Sequence, residues 1–235
     1  MKLLAFDTST ESMSIAVGHG AQVWEHTGAG GARASATLIP AILSLLQQAG
    51  LTLGELDAIA FGRGPGSFTG LRTACSVAQG LAFGAGVKVL PVDTLLALAE
   101  EARQRHGASR IVAALDARMD EMYVARYDLG NAGLATDAEP ELVRPEALQV
   151  PEGWALAGNV FNAYGERLPG GHGAAAAWIE ALPTAAAMLR LAPALIAAGQ
   201  AVTADHALPR YIRDKVAKTT DERAAERAAQ AATTP

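Results

Sequence analysis

Two hydrophobic rhythms alternate along this chain. Short apolar runs give way to longer stretches in which apolar residues recur every three or four positions. Residues 2–6 form a first apolar run that stops at Asp7, and Thr8-Ser9-Thr10-Glu11 is a polar turn. Met13, Ile15 and Val17 then alternate with Ser12, Ser14 and Ala16, the period of a half-buried strand. Residues 21–26 return as a third strand after Gly18-His19-Gly20, and residues 28–31 read as a loose connector. A helix is predicted over residues 34–49. Its apolar positions Leu38, Ile39, Ile42, Leu43, Leu45, Leu46 and Ala49 spread over more than one stripe, so it needs a neighbour besides the sheet. Ala58-Ile59-Ala60-Phe61 is a buried strand. A second helix, over residues 68–84, carries Leu71, Ala74, Cys75, Ala78, Leu81 and Ala82 on one stripe and the small residues Thr69, Thr73, Ser76 and Gly80 on another. A small-residue stripe lets a helix approach closely. That helix is either the first one or belongs to another subunit.

The rest of the chain repeats the opening. A strand over residues 87–92 and a helix over 93–105 lead to an apolar run, 111–115, that stops at Asp116. The polar turn Ala117-Arg118-Met119-Asp120-Glu121 and a strand over 122–127 follow. Apolar strand, Asp, polar turn, second strand is the pattern of residues 2–17, which reads as a degenerate internal duplication. Shorter elements are expected at 140–143 (strand), 144–149 (helix) and 154–157 (strand, entering Gly158-Asn159). Residues 165–174 are glycine-rich and loop-like, and a helix over 184–198 is interrupted or kinked at Pro193. Residues 219–235 lack an apolar face and are expected to be disordered. Two similar α/β lobes, 1–105 and 106–218, predict a duplicated actin/Hsp70/sugar-kinase-like fold, with mixed β-sheets flanked by helices.

Between the strand at 58–61 and the second helix lies Gly62-Arg63-Gly64-Pro65-Gly66-Ser67-Phe68-Thr69-Gly70-Leu71-Arg72. Glycines at a helix start suit an anion, but the nucleotide patterns do not fit. A Walker loop would need Gly-Lys after Gly62 and four residues; position 67 is Ser and the loop contains no Lys. A dinucleotide fingerprint from Gly62 or Gly64 would need glycine at position 67 or 69, which are Ser and Thr. Ser67 follows Gly66 directly and so lacks a nucleophile elbow. Asp7 and Asp116, each at a strand tip, fit two readings: turn caps, or remnants of a Mg-phosphate site. The five His residues never pair at helical spacing, which argues against a metallopeptidase.

Composition narrows the classes further. With 235 residues, half of them hydrophobic, and a formal charge of -5, the chain folds around a sizeable core and offers no basic face for nucleic acid. Cys75 is alone, so no internal disulfide forms and a reducing cytoplasm is expected. No apolar run reaches membrane-spanning length and no signal segment opens the sequence.

The stretch from Gly62 to Arg72 resembles the signature of the bacterial TsaB (YeaZ) family. Leu4-Ala5-Phe6-Asp7-Thr8-Ser9-Thr10, Asp116-Ala117-Arg118 with Glu121 and Tyr123, and Pro209-Arg210-Tyr211-Ile212-Arg213 are similar to that family too. The resemblance implies a non-catalytic scaffold that works with TsaD and TsaE to make N6-threonylcarbamoyladenosine at position 37 of tRNAs reading ANN codons. It implies direct pairing with TsaD, TsaE in the ternary complex, a homodimer when alone, and tRNA contact only through the complex. No cofactor is expected on this chain; ATP and metal are expected on the partner subunits. The related catalytic family TsaD carries His-x-x-x-His on its first helix, and Ala34-Ser35-Ala36-Thr37-Leu38-Ile39-Pro40 has no His. The partner face is expected on the two helices, with Leu38, Ile42, Leu45, Thr69, Thr73 and Ser76. The alternative class is a small-molecule kinase or ATPase of the actin-like superfold, with Asp7 and Asp116 around Mg-ATP.

Overall fold

The computed structural model describes residues 1–30, 33–130, 139–168 and 177–213. Its first sheet contains β1 (Lys2–Asp7), β2 (Ser12–His19), β3 (Gln22–Ala29), β4 (Ala58–Gly64) and β5 (Lys88–Asp93), in the order β3-β2-β1-β4-β5. The second contains β6 (Arg110–Asp116), β7 (Met122–Asp128), β8 (Glu141–Val143), β9 (Ala155–Gly158) and β10 (Trp178–Glu180). Read from β8, its order is β8-β7-β6-β9-β10, the same path as the first sheet. In each, three antiparallel strands lead to two parallel ones. The repeat seen in the sequence is therefore a repeat of topology.

Among the described residues, five α-helices join them: α1 (Ala34–Gln48), α2 (Phe68–Ala85), α3 (Thr94–His106), α4 (Phe161–Tyr164) and α5 (Ala185–Ala197). α1 and α2 cover one face of the first sheet, where Leu38, Ile42, Leu45, Ala74 and Ala78 pack with Leu4, Phe6, Ile15, Ile59 and Phe61. α3 and α5 lie between the two sheets. α3 follows the first sheet in sequence and packs chiefly on β6 of the second, with further contact to β7 and β9 and to its own β4 and β5, while α5 follows the second sheet and packs on β1, β2 and β4 of the first. Each lobe thus lends a helix to its neighbour. One core cluster consequently runs through both sheets, and it is rich in alanine: Ala5, Ala60, Ala97, Ala99, Ala113, Ala157, Ala187 and Ala192 all belong to it. Alanines on facing elements let helix and sheet approach at the density of a protein interior.

Among the described residues, the second lobe's outer elements are shorter. Where α2 follows β4, β9 is followed by the single turn α4 and a 3-10 turn at Gly165–Arg167. Where α1 separates β3 from β4, a 3-10 turn at Pro145–Ala147 stands, shorter than the helix predicted for 144–149. β3 extends to Ala29, into the expected connector, and β10, three residues long, was not signalled by any periodicity. α5 continues through Pro193. Residues 219–235 and most of the glycine-rich stretch lie outside the described residues.

Candidate functional site: an interlobe cleft and an outer helical face

Strand β1 ends at Asp7, whose carboxylate is fully buried. Its Oδ1 accepts from the Ser9 amide at 2.8 Å and the Ser9 hydroxyl at 2.6 Å, and its Oδ2 accepts from the Thr94 hydroxyl at 3.4 Å. Burial pushes its pKa up to about 6, against the opposing hydrogen bonds. Gly62 supplies the space, since a Cβ there would overlap Oδ2. Asp7 Oδ1 thus closes the turn two residues on from its own strand.

The signature loop closes over the turn that Asp7 begins. The Ser67 amide donates to the Ser9 carbonyl at 2.7 Å, and the Thr8 hydroxyl donates to the Gly70 carbonyl at 2.7 Å. Gly66 and Gly70 are required by this approach: a Cβ on Gly66 would lie 2.6 Å from the Ser9 carbonyl oxygen, and one on Gly70 would overlap the Thr8 carbonyl. Gly64–Pro65 is cis. Ser67 caps α2 by accepting from the Gly70 amide. Arg63 turns away from the cleft to pair with Asp93 at 2.7 Å and 3.1 Å. Arg72 lies 3.8 Å over the Phe68 ring.

Asp116 ends β6 as Asp7 ends β1, but it faces the cleft. It accepts from the Tyr164 hydroxyl at 2.8 Å and the Arg118 amide at 2.8 Å, and pairs with the Arg118 guanidinium at 3.1 Å. The Asn159 side chain accepts from its backbone amide at 3.0 Å. Arg118, Met119 and Asp120 have φ of 60°, 58° and 61°, three successive non-glycine residues in the left-handed region. Such a residue costs about 1–2 kcal/mol, so the turn must be held from outside.

The holding segment is residues 208–213. The Arg210 amide donates to the Arg63 carbonyl at 2.6 Å, and its guanidinium bonds Asp93 at 3.5 Å and also Glu139. Tyr211 packs on Phe68 with ring centroids 5.1 Å apart and accepts from Arg72 at 3.3 Å. Arg213 donates to Glu121 at 2.6 Å, to the Arg118 carbonyl at 3.3 Å and to the Met119 sulfur at 2.9 Å. Arg210, Tyr211, Ile212 and Arg213, with Ser9, Gly66, Ser67, Phe68, Asp116 and Arg118, line an interlobe cleft of about 850 Å³. The sequence marked Pro209–Arg213 only as part of a resemblance; that it bridges the lobes follows from contacts more than ninety residues apart in the chain.

The outer face requires a correction. Leu38, Ile42 and Leu45 were expected to meet a partner, but they are buried in this chain's own core at 0%, 0% and 4% exposure. They occupy the sheet-facing stripe of α1. The outward stripe carries Ile39 and Leu43, 42% and 50% exposed. On α2, Thr69 and Ser76 are exposed and Thr73 half-buried, and their stripe runs on through Gly80 to Phe83, 85% exposed. Cys75 lies inside, donating to the Ala207 carbonyl at 3.2 Å, and burial raises its pKa. Among the described residues no group of three His, Cys, Asp or Glu side chains could hold a metal ion, and no helix is long and apolar enough to cross a membrane.

Two sheets of one topology, laminated through exchanged helices beside a cleft, define the two-lobe, actin-like class of α/β proteins. The profile described as "TsaD: tRNA N6-adenosine threonylcarbamoyltransferase" matches residues 29–220. The tRNA threonylcarbamoyladenosine biosynthesis protein TsaB of Escherichia coli (strain K12) is 36% identical over 224 residues, covering 92% of this chain and 96% of that protein. Its counterpart in Haemophilus influenzae is 34% identical, covering 92% and 95%. The solved structure of YeaZ from Pseudomonas aeruginosa superposes with a TM-score of 0.80 at 40% identity, over 89% of this chain and 99% of that one. The chain belongs to the TsaB (YeaZ) family.

Proposed function

We propose that this chain is the non-catalytic scaffold subunit that, with TsaD and TsaE, makes N6-threonylcarbamoyladenosine at position 37 of tRNAs reading ANN codons. A role in tRNA threonylcarbamoyladenosine biosynthesis is carried by the match to two TsaB proteins over nearly their whole length. The scaffold role rests on one structural observation: the outward stripes of α1 and α2 present Ile39, Leu43 and Phe83 beside small residues, on the lobe that kept its long outer helices. Apolar side chains grouped on a surface mark partner sites. TsaD is the partner that seats there, TsaE joins the ternary complex, and a second copy of the chain covers the face when TsaD is absent. tRNA is reached through the complex, and the work takes place in the cytoplasm. ATP and metal act on the partner subunits. Supporting that division, the first-lobe turn is filled by the signature loop, with Ser67 bonded to Ser9 where an incoming phosphate would need free amides.

Mixing the purified chain with TsaD tests this reading. Co-elution and a calorimetric binding signal are expected, lost in Leu43→Glu and Phe83→Asp. Wild-type chain that neither co-elutes nor binds would overturn it. Micromolar Mg-ATP binding by the isolated chain, abolished in Asp7→Ala, would favour a kinase instead.

A further inference from the structure

Residues 208–213 touch both lobes at the mouth of the cleft, and each of their long side chains has a different anchor. Arg210 holds the first lobe, through its amide on the Arg63 carbonyl and its guanidinium on Asp93, and the same guanidinium reaches Glu139 in the second lobe. Tyr211 holds the first turn of α2, against Phe68 and Arg72. Arg213 holds the second lobe, through Glu121, the Arg118 carbonyl and the Met119 sulfur. The second-lobe anchor is the left-handed turn Arg118-Met119-Asp120. Local bonds brace it in part: Ala117 donates to the Glu121 carbonyl at 2.9 Å, Glu121 to the Arg118 carbonyl at 3.2 Å, and Arg167 pairs with Asp120 at 2.8 Å. Among the described residues, Arg213 ties this turn to the segment that reaches the first lobe. At the back of the cleft the lobes are welded by the shared α3/α5 core; at the mouth this segment is the tie.

We propose that residues 208–213 are a latch that sets the width of the interlobe cleft. Docked, the latch spans from Arg63 to Glu121 and keeps the 118–120 turn left-handed. Undocked, the turn relaxes toward right-handed backbone and the mouth widens while the back stays closed. Its anchors are charge-assisted, so an acidic group entering the cleft competes directly for Arg213. Tyr211 sits on the first turn of α2, so movement of that turn and movement of the latch are mechanically linked.

The test uses spin labels on Ala36→Cys at the start of α1 and on Asn162→Cys beside Tyr164, both exposed and at the cleft end of their lobes, in a Cys75→Ala background, with distances from double electron–electron resonance. Hydrogen exchange at residues 117–121 is measured in parallel. Arg213→Ala is expected to lengthen and broaden the distance distribution and to raise exchange at 117–121 by about tenfold or more, as for a locally opened segment. Arg213→Lys, which keeps the charge but cannot span three acceptors, should fall between. If Arg213→Ala does not fold, Tyr211→Ala removes only the α2 anchor and should lengthen the distance on its own. An unchanged distance in the folded variants overturns the latch, and faster exchange at an unchanged distance overturns it too, reducing the segment to a local brace.

Discussion

The backbone of Ser67 is bonded to the backbone of Ser9 at 2.7 Å, so the signature loop and the first-lobe turn form one packed unit. Two glycines make the approach possible, and their replacement should be felt at once. Gly70→Ala would drive a methyl group into the Thr8 carbonyl and is expected to cost about 3 kcal/mol. Gly80→Ala, on the same helix with nothing within 4 Å of the added carbon, should instead gain about 1 kcal/mol. Urea unfolding of the two variants measures both.

Asp7 makes stability depend on pH in an unusual direction for a carboxylate. Its pKa is about 6 in the folded chain against an ordinary 3.8, so between those values the native state keeps a proton that the unfolded chain has lost. Raising the pH through this window therefore weakens the fold; the contribution is fully present below about 4 and gone above about 6, a difference of about 3 kcal/mol. Asp7→Asn keeps the Ser9 bonds without the charge. Its advantage over the wild type should grow from pH 4 to pH 7 and then level off, as read from urea midpoints.

Residues on opposite stripes of α1 should separate folding from pairing. Ile42→Ala removes a fully buried side chain and is expected to destabilise the chain by about 2–5 kcal/mol. Leu43→Glu, on the half-exposed stripe, should leave the stability within about 0.5 kcal/mol of wild type while abolishing association with TsaD or with a second copy. Thermal unfolding and calorimetric titration read the two effects.

Arg190 of α5 joins the two central helices. It pairs with Glu100 at 2.9 Å and Glu101 at 2.8 Å, and both carboxylates are nearly buried. Arg103 also serves Glu100, and Arg105 with Thr184 serves Glu101. Arg190→Met would leave two desolvated carboxylates short of a cation and should cost about 3 kcal/mol. Arg190→Met combined with Glu100→Gln and Glu101→Gln should recover part of that loss in the same unfolding assay.

The strand–turn–strand repeat was legible because strand period and turn residues are local, and both copies end in Asp at the same place. The signature was legible as a strand-to-helix turn for the same reason. What failed was the choice of stripe on α1. Leu38, Ile42 and Leu45 and their neighbours Ile39 and Leu43 are chemically alike, and sequence period alone does not say which stripe the sheet claims. The packing of α3 and α5 across the lobes was equally silent, since each follows a complete sheet and nothing local says which sheet a helix will meet. The role of Arg210 and Arg213 lay in contacts between segments far apart in the chain, and no periodicity records those.

The reciprocal loan of α3 and α5 has a bearing on how this chain could ever be divided. Cleaved between the halves, each fragment would keep a helix that packs on two sheets with one of them gone, and would lose the other half of the shared core. Each piece is expected to expose that apolar seam and to need its complement to stay folded.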